Sequence, residues 1–365
     1  MRHFLILAML SCTLNFAYSQ EQADSTLTSE EMQFRDSIAA LNISSELLQQ
    51  IQETYNKGTE AFNQSDYIQA IESFKEVIAL DSTNKAVYYN KGLAEKALGQ
   101  FDLAVLSLEQ AFSLDSSNTD ALFNIAKSYQ ESQDRKMAIK SYDRLLSLDP
   151  QHAQSAYQKG VIYYLENNFQ QAISAYSQAI SIDANYAYAY NDRASCFRAL
   201  EDYDKAIVDY RKAVSLDPQA FVYSNLASAF RKSGNVDEAI THYTKAISQD
   251  VNYEMAYNNR GSVYFEMKDY DLALKDFKKA LEINPDYAMA LCNRAAVYHL
   301  KENYTAALAD LEQAVKLQPN NATALLNRGI TREMLRNVDG ACEDWQKAYE
   351  LGILKGKEYF IKNCE

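Results

Sequence analysis

From Ile51 onward, small and apolar residues recur in one register of 34 residues, with a single copy of 33. The stretch 254–287, EMAYNNRGSVYFEMKDYDLALKDFKKALEINPDY, sets the frame. The copies run 51–84, 85–118, 119–152, 153–186, 187–219, 220–253, 254–287, 288–321 and 322–355. The twentieth position is Ala in every copy, from Ala70 to Ala341, and the eighth is always Gly or Ala. Seven copies carry an aromatic at the twenty-fourth position: Phe74, Tyr142, Tyr176, Tyr210, Tyr243, Phe277 and Trp345. All four prolines fall at the thirty-second. Apolar spacing of this kind predicts two amphipathic helices per copy, joined by a short turn. Small residues at positions eight and twenty let the two helices approach, and the aromatic fills the space around them. Proline stops the second helix, because it lacks the N–H and disfavours helix in the residue before it. No copy can bury its apolar face alone, so neighbours must stack.

Outside the register, Ser29 is positioned to cap a helix carrying Met32, Ile38 and Leu41, and a second helix is expected to begin near Ser44 or Ser45. Residues 20–50 therefore read as a leader and N-terminal cap. The tail, 354–365, reads as a capping helix whose Tyr359 and Phe360 pack on the last repeat.

The register resembles the tetratricopeptide repeat family, over 305 residues in nine copies. The resemblance implies an all-α fold, a right-handed superhelical α-solenoid over 51–353, with first helices lining a concave groove. It also implies a scaffold that acts by binding other proteins.

Composition agrees with helices: 47% of residues are hydrophobic, with only 10 Gly and 4 Pro. A net charge of −13 lacks the electrostatic footprint of a general nucleic-acid binder. Residues 1–19 have Arg2, an apolar run from Phe4 to Leu10, and Ala17-Tyr18-Ser19, the pattern of a secretory signal peptide cleaved after Ser19. Leu10-Ser11-Cys12 offers a second reading, a lipid anchor at Cys12. Either places the protein in an exported compartment, periplasmic or associated with the cell envelope. No stretch is long enough to be an integral membrane span.

The candidate binding residues follow from the register. The sixth position is Asn in seven copies: Asn56, Asn90, Asn124, Asn225, Asn259, Asn293 and Asn327, with Gln158 and Asp192 breaking the series. A primary amide offers donors and an acceptor to the backbone of an extended peptide. The series is similar to the asparagine ladder in the repeat domain of O-linked N-acetylglucosamine transferase. Beside it lie Tyr55, Tyr89, Phe123 and Tyr157 at the fifth position, then Tyr188, Phe221, Met255 and Met289 at the second. These suit adaptable apolar contact, or ordinary packing between repeats. The clamp by which some family members bind a terminal carboxylate needs Asn at the ninth position, and no copy has it.

Four copies pair Arg at position seven (Arg193, Arg260, Arg294, Arg328) with Asp at position twenty-three (Asp209, Asp276, Asp310, Asp344), which predicts an ion pair inside each repeat. Cys342 and Cys364 are placed for a disulfide that pins the cap, with Cys196 and Cys292 free. The four His have no metal-ligand spacing, and no phosphate loop or nucleophile elbow occurs, so no cofactor, metal or catalytic role is expected. Two other readings remain beside the adaptor: a self-assembling envelope component, and a regulatory subunit of a separately encoded enzyme.

Overall fold

The computed structural model describes residues 29–364, with side-chain surroundings from residue 44. The expected signal peptide over 1–19 and Cys12 lie outside the described residues, and the expected stripe of Met32, Ile38 and Leu41 precedes the described side chains. Every regular element among the described residues is an α-helix. The chain divides into two compact units at Pro150 and Gln151.

The first unit contains α1 (Ser29–Asn63), α2 (Tyr67–Leu80), α3 (Lys85–Ala97), α4 (Phe101–Leu114), α5 (Thr119–Glu131) and α6 (Arg135–Leu148). The second contains α7 (Ala153–Leu165), α8 (Phe169–Ile182), α9 (Ala187–Ala199), α10 (Tyr203–Leu216), α11 (Ala220–Lys232), α12 (Val236–Gln249), α13 (Glu254–Glu266), α14 (Tyr270–Ile283), α15 (Ala288–Leu300), α16 (Tyr304–Leu317), α17 (Ala322–Met334), α18 (Val338–Glu350) and α19 (Leu354–Cys364). Within each unit, consecutive helices pair as hairpins, and each hairpin packs on the next.

One expectation fails at the N-terminus. No second helix begins at Ser44 or Ser45; α1 runs unbroken for 35 residues, through that point and into the first repeat. The segment has no proline and no glycine before Gly58. A pair of serines lowers helix propensity only slightly, and a cap is needed only where the helix already has a reason to end.

Inside the hairpins the small positions are closed to solvent. All nine alanines at position twenty are 0% exposed. In four repeats the aromatic at position twenty-four sits over a glycine at the eighth position: Phe74 over Gly58, Tyr176 over Gly160, Phe277 over Gly261 and Trp345 over Gly329. A Cβ on Gly58 would stand 2.7 Å from the Phe74 ring, and one on Gly160 2.5 Å from Tyr176. The glycine is what allows the ring to lie there. Phe74, Tyr142, Tyr210 and Trp345 are 0% exposed, and truncating such a residue to Ala costs about 3–5 kcal/mol.

The turn between the two helices has its own rule, which the apolar pattern does not carry. Its fifteenth position is left-handed in all nine repeats. Gly99 and Gly234 take it at φ 73° and 85°. Ser65, Gln133, Asn167, Glu201, Lys268, Glu302 and Arg336 take it with side chains, at φ between 56° and 67°. The next residue caps the second helix. Asp66, Asp134, Asn168, Asp202, Asp269, Asn303 and Asn337 each accept a backbone N–H three residues on.

At the C-terminal end, α19 lies against α18. Gly356 is buried, and a Cβ there would stand 2.5 Å from the Trp345 carbonyl oxygen. Tyr359 stacks on Trp345 with centroids 5.2 Å apart, while Phe360 is half-buried. Cys342 and Cys364 are joined by a disulfide, with Cα atoms 5.9 Å apart. Cys196 is free and buried, and Cys292 free and half-buried; burial pushes their thiols up to about 12 and about 11.

Candidate peptide-binding groove

The sixth-position side chains are not isolated rungs. Each tends to bond to the fifth-position side chain of the repeat before it. In the first unit, Asn90 donates from Nδ2 to Tyr55 Oη at 2.8 Å, and Asn124 donates to Tyr89 Oη at 3.2 Å. Asn124 also donates to the Asp120 carbonyl and accepts from Lys96 Nζ at 3.0 Å. Asn56, with no repeat before it, accepts from Gln52. In the second unit, Tyr157 Oη donates to Asp192 at 2.7 Å, Asn225 to Asn191 at 3.1 Å, and Asn293 to Asn258 at 2.9 Å. Asn259 accepts from its neighbour Asn258 at 3.3 Å.

These bonds assign the fifth-position aromatics a packing job. Tyr89, Phe123 and Tyr157 are half-buried between successive first helices, and Phe123 packs on Tyr142 with centroids 5.9 Å apart. The second-position residues stand further out. Tyr188, Met255 and Met289 are exposed, and Tyr188 stacks with Phe221 at 6.4 Å. Asn56, Asn90, Asn225 and Asn259 each spend one N–H or one lone pair and keep the rest of the amide available, whereas Asn124 donates twice and accepts once, and Asn293 donates to both Asn258 and Ser262. Asn327 differs: its side chain has no hydrogen-bond partner among the described residues, although its backbone carbonyl accepts from Thr331.

Asn327 is at the wall of a pocket of about 230 Å³ between α13, α15, α16 and α17. Phe265, Ala295, Ala296, Leu300, Leu311 and Ile330 make its surface apolar, with His299 and Thr331 beside them. Burial holds the His299 imidazole below its ordinary value, which favours the neutral ring. A neighbouring pocket of about 210 Å³ shares Phe265 and Ala296 and adds Asn293, Ser262, Phe277, Arg231 and Glu266. There Arg231 forks onto Glu266 at 2.6 and 3.0 Å, and neutralises it. The two pockets repeat one geometry a repeat apart. Sequence reasoning found Asn293 and Asn327 but not Ala296, His299, Ile330 or Thr331. The available signal was weak: the ninth position is aliphatic at Leu93, Val161, Ala296 and Ile330, and the twelfth is aromatic at Phe62, Tyr164, Phe265 and His299, so neither position singles out these two pockets.

The charged candidates fall away from this surface. Arg193, Arg260, Arg294 and Arg328 each hold the predicted aspartate by two parallel bonds of 2.6–2.9 Å. Arg193 and Arg260 also reach back to Ser177 and Thr244 on the preceding repeat's second helix. Asp344 is held by a second guanidinium, that of Arg332, at 2.9 Å. Among the described residues, no group of three or more His, Cys, Asp or Glu is arranged to hold a metal ion. No described helix is long and apolar enough to cross a membrane.

Models of the tetratricopeptide repeat match residues 86–118, 123–187, 187–219, 255–287 and 288–321, and a further TPR repeat model matches 227–268. No curated protein matches the sequence. Among solved structures, the APC/C hetero-tetramer Cut9-Hcn1 is similar at a TM-score of 0.55 and 16% identity, covering 86% of this chain and 76% of that one. The type IV pilus biogenesis factor PilW aligns at 0.52 and 20% identity, over 57% of this chain and 98% of its own. PilF of Pseudomonas aeruginosa aligns at 0.51 and 24% identity, over 57% and 97%. At these identities the likeness is one of fold. Together the matched repeats cover more than half of the sequence, and the chain belongs to the tetratricopeptide repeat family.

Proposed function

We propose that the protein is an exported adaptor that holds an extended segment or helix of a partner protein against the first helices of its repeats. Repeats of this family build protein-interaction scaffolds, and the proposal gives that general role a surface in this chain. The observation that carries it is the pair of pockets along α13, α15 and α17. The larger is walled mainly by apolar side chains, the smaller sets Phe265, Phe277 and Ala296 beside Ser262 and the Arg231–Glu266 pair, and the amides of Asn327 and Asn293 stand at their respective walls. Apolar recesses suit alternate side chains of a peptide, and amides suit its backbone between them. Met255 and Met289, exposed near the start of the same helices, add adaptable apolar area.

The test is capture from an envelope extract, with mass spectrometry of what is retained. Ile330→Glu places a charge in the larger pocket, and Asn259→Ala with Asn293→Ala removes two rungs. Both variants are expected to lose the partners that the unmodified protein retains. Retention unchanged in both would reject the groove. Export is tested separately: the N-terminus of protein recovered from the envelope fraction is expected to begin at Gln20, and an acylated Cys12 would give the anchored form instead.

A further inference from the structure

We propose that Asp192, with the aromatic rings around it, forms a position in the second unit that takes the cationic Lys or Arg side chain of a bound peptide. The proposal rests on the peptide-binding reading above and adds the chemistry of one residue of the partner. Asp192 holds the sixth position of its repeat, where seven other copies carry Asn. Its two bonds come from neutral donors, Tyr157 Oη to Oδ2 at 2.7 Å and Asn191 Nδ2 to Oδ1 at 2.9 Å. An amide at the same place could accept the tyrosine hydroxyl equally well, so the rung itself does not require a charge. The four buried aspartates of this unit, Asp209, Asp276, Asp310 and Asp344, each have an arginine fork. Asp192 has no ion pair among the described residues.

Its surroundings select a cation. The rings of Tyr157 and Tyr186 lie 4.9 Å apart beside it. Tyr188 lies one turn before it on α9, hence on the same face, and is 48% exposed. That ring stacks with Phe221 at 6.4 Å. Ring faces attract cations, most strongly where water is partly excluded. A carboxylate binds about four hydrogens, and Asp192 has used two. Burial already holds its carboxyl above the usual range, and burial with the Asp192 charge pushes Tyr186 up to about 12. An ammonium or guanidinium entering beside Tyr188 would relieve that cost, and a ligand anion would add to it.

The experiment pans a random dodecapeptide phage library on the full-length protein and on Asp192→Asn, then measures affinities of the selected peptides by fluorescence anisotropy. Peptides selected by the unmodified protein are expected to share Lys or Arg at one fixed place relative to their apolar residues. Peptides selected on Asp192→Asn are expected to keep the apolar residues and lose the basic one. A Lys-bearing peptide should bind Asp192→Asn roughly tenfold or more weakly, as should its Lys→norleucine analogue against the unmodified protein, and combining the two changes should cost little more. Selected peptides without a fixed basic residue, or equal binding to both proteins, would overturn the cation position and leave the groove standing. Failure of the unmodified protein to select any peptide would overturn the groove and this position together. If Asp192→Asn does not fold, the norleucine comparison on the unmodified protein decides alone.

Discussion

Arg260 holds Asp276 by two parallel bonds, Nε to Oδ2 and Nη2 to Oδ1, each 2.8 Å long. Their side chains are 17% and 4% exposed, so the pair is taken largely out of water. A third bond, from Nη1 to Thr244 at 2.8 Å, ties the same guanidinium to the preceding repeat. Removing one partner leaves a buried charge without compensation. Asp276→Ala is expected to destabilise the second unit by about 3–5 kcal/mol. Replacing both, Arg260→Met with Asp276→Leu, should recover most of that loss, because the buried pair itself gains little over apolar packing. Urea denaturation of the three proteins checks this. Equal losses in the single and double variants would mean that packing, not charge, carries the effect.

The left-handed turns give a change in the opposite direction. Lys268 has φ 63°, at the place where Gly99 and Gly234 serve in other repeats. A Cβ in this conformation crowds the following carbonyl and costs roughly 1–2 kcal/mol. Part of that returns as the greater entropy of glycine in the unfolded chain. Lys268→Gly is therefore expected to stabilise by about 0.5–1 kcal/mol, read as a higher urea midpoint at an unchanged slope. Lys301 makes a poor place for the same experiment, since it lies before the left-handed residue and pairs with Asp271 at 2.8 Å.

The difference between these two cases marks what could be read from the chain. The Arg–Asp pairs were legible because both partners vary together along nine copies of one register. The hairpins, their small positions and their buried aromatics were legible for the same reason. The left-handed turn was not, because seven of its nine residues are ordinary side chains and the conformation is imposed by the two helices it joins. The pockets were half legible. Asn293 and Asn327 lie in recognisable positions, but the recess also depends on how far apart successive first helices stand, and periodicity does not encode that distance. The N-terminal boundary at Ser44 failed because serine marks a helix start only when the preceding segment is not already helical.

The cap makes a chemical prediction. Alkylation of the denatured, unreduced protein should modify Cys196 and Cys292 and leave Cys342 and Cys364 untouched until a reductant is added. Closing a loop with a sequence separation of 22 is worth about 3 kcal/mol in the chain-entropy account. Cys342→Ser with Cys364→Ser should accordingly lower the unfolding midpoint, with the first loss of protection in hydrogen exchange confined to α18 and α19. Early exchange elsewhere would place the weakest part of the unit away from its cap.

The last prediction concerns pH and one exception to the Arg–Asp rule. His242 occupies position twenty-three, where four other repeats have Asp, and its partner position is Leu226 instead of Arg. The imidazole is 9% exposed and stacks against Phe230 at 5.3 Å and Tyr223 at 6.1 Å, both from α11. Its Nδ1 has no hydrogen-bond partner among the described residues. Burial lowers its pKa below the usual value, Lys245 on α12 and Arg211 on α10 add to that, and Glu238 on α12, 3.5 Å from Nε2, opposes it. The unfolded chain therefore binds the proton more readily than the folded one. The contribution to stability is complete above the unfolded value of about 6.5 and is lost as pH falls through it towards the lower folded value. Between pH 7.5 and 5.5, most carboxylates stay ionised, with ordinary values of about 4. The urea midpoint should fall over this interval, and fall less in His242→Phe, which keeps the stacked ring and removes the proton. His299, lowered in the same direction by burial, remains in both proteins and so cancels from the comparison. Identical pH slopes in the two proteins would show that His242 does not sense the proton in the folded state.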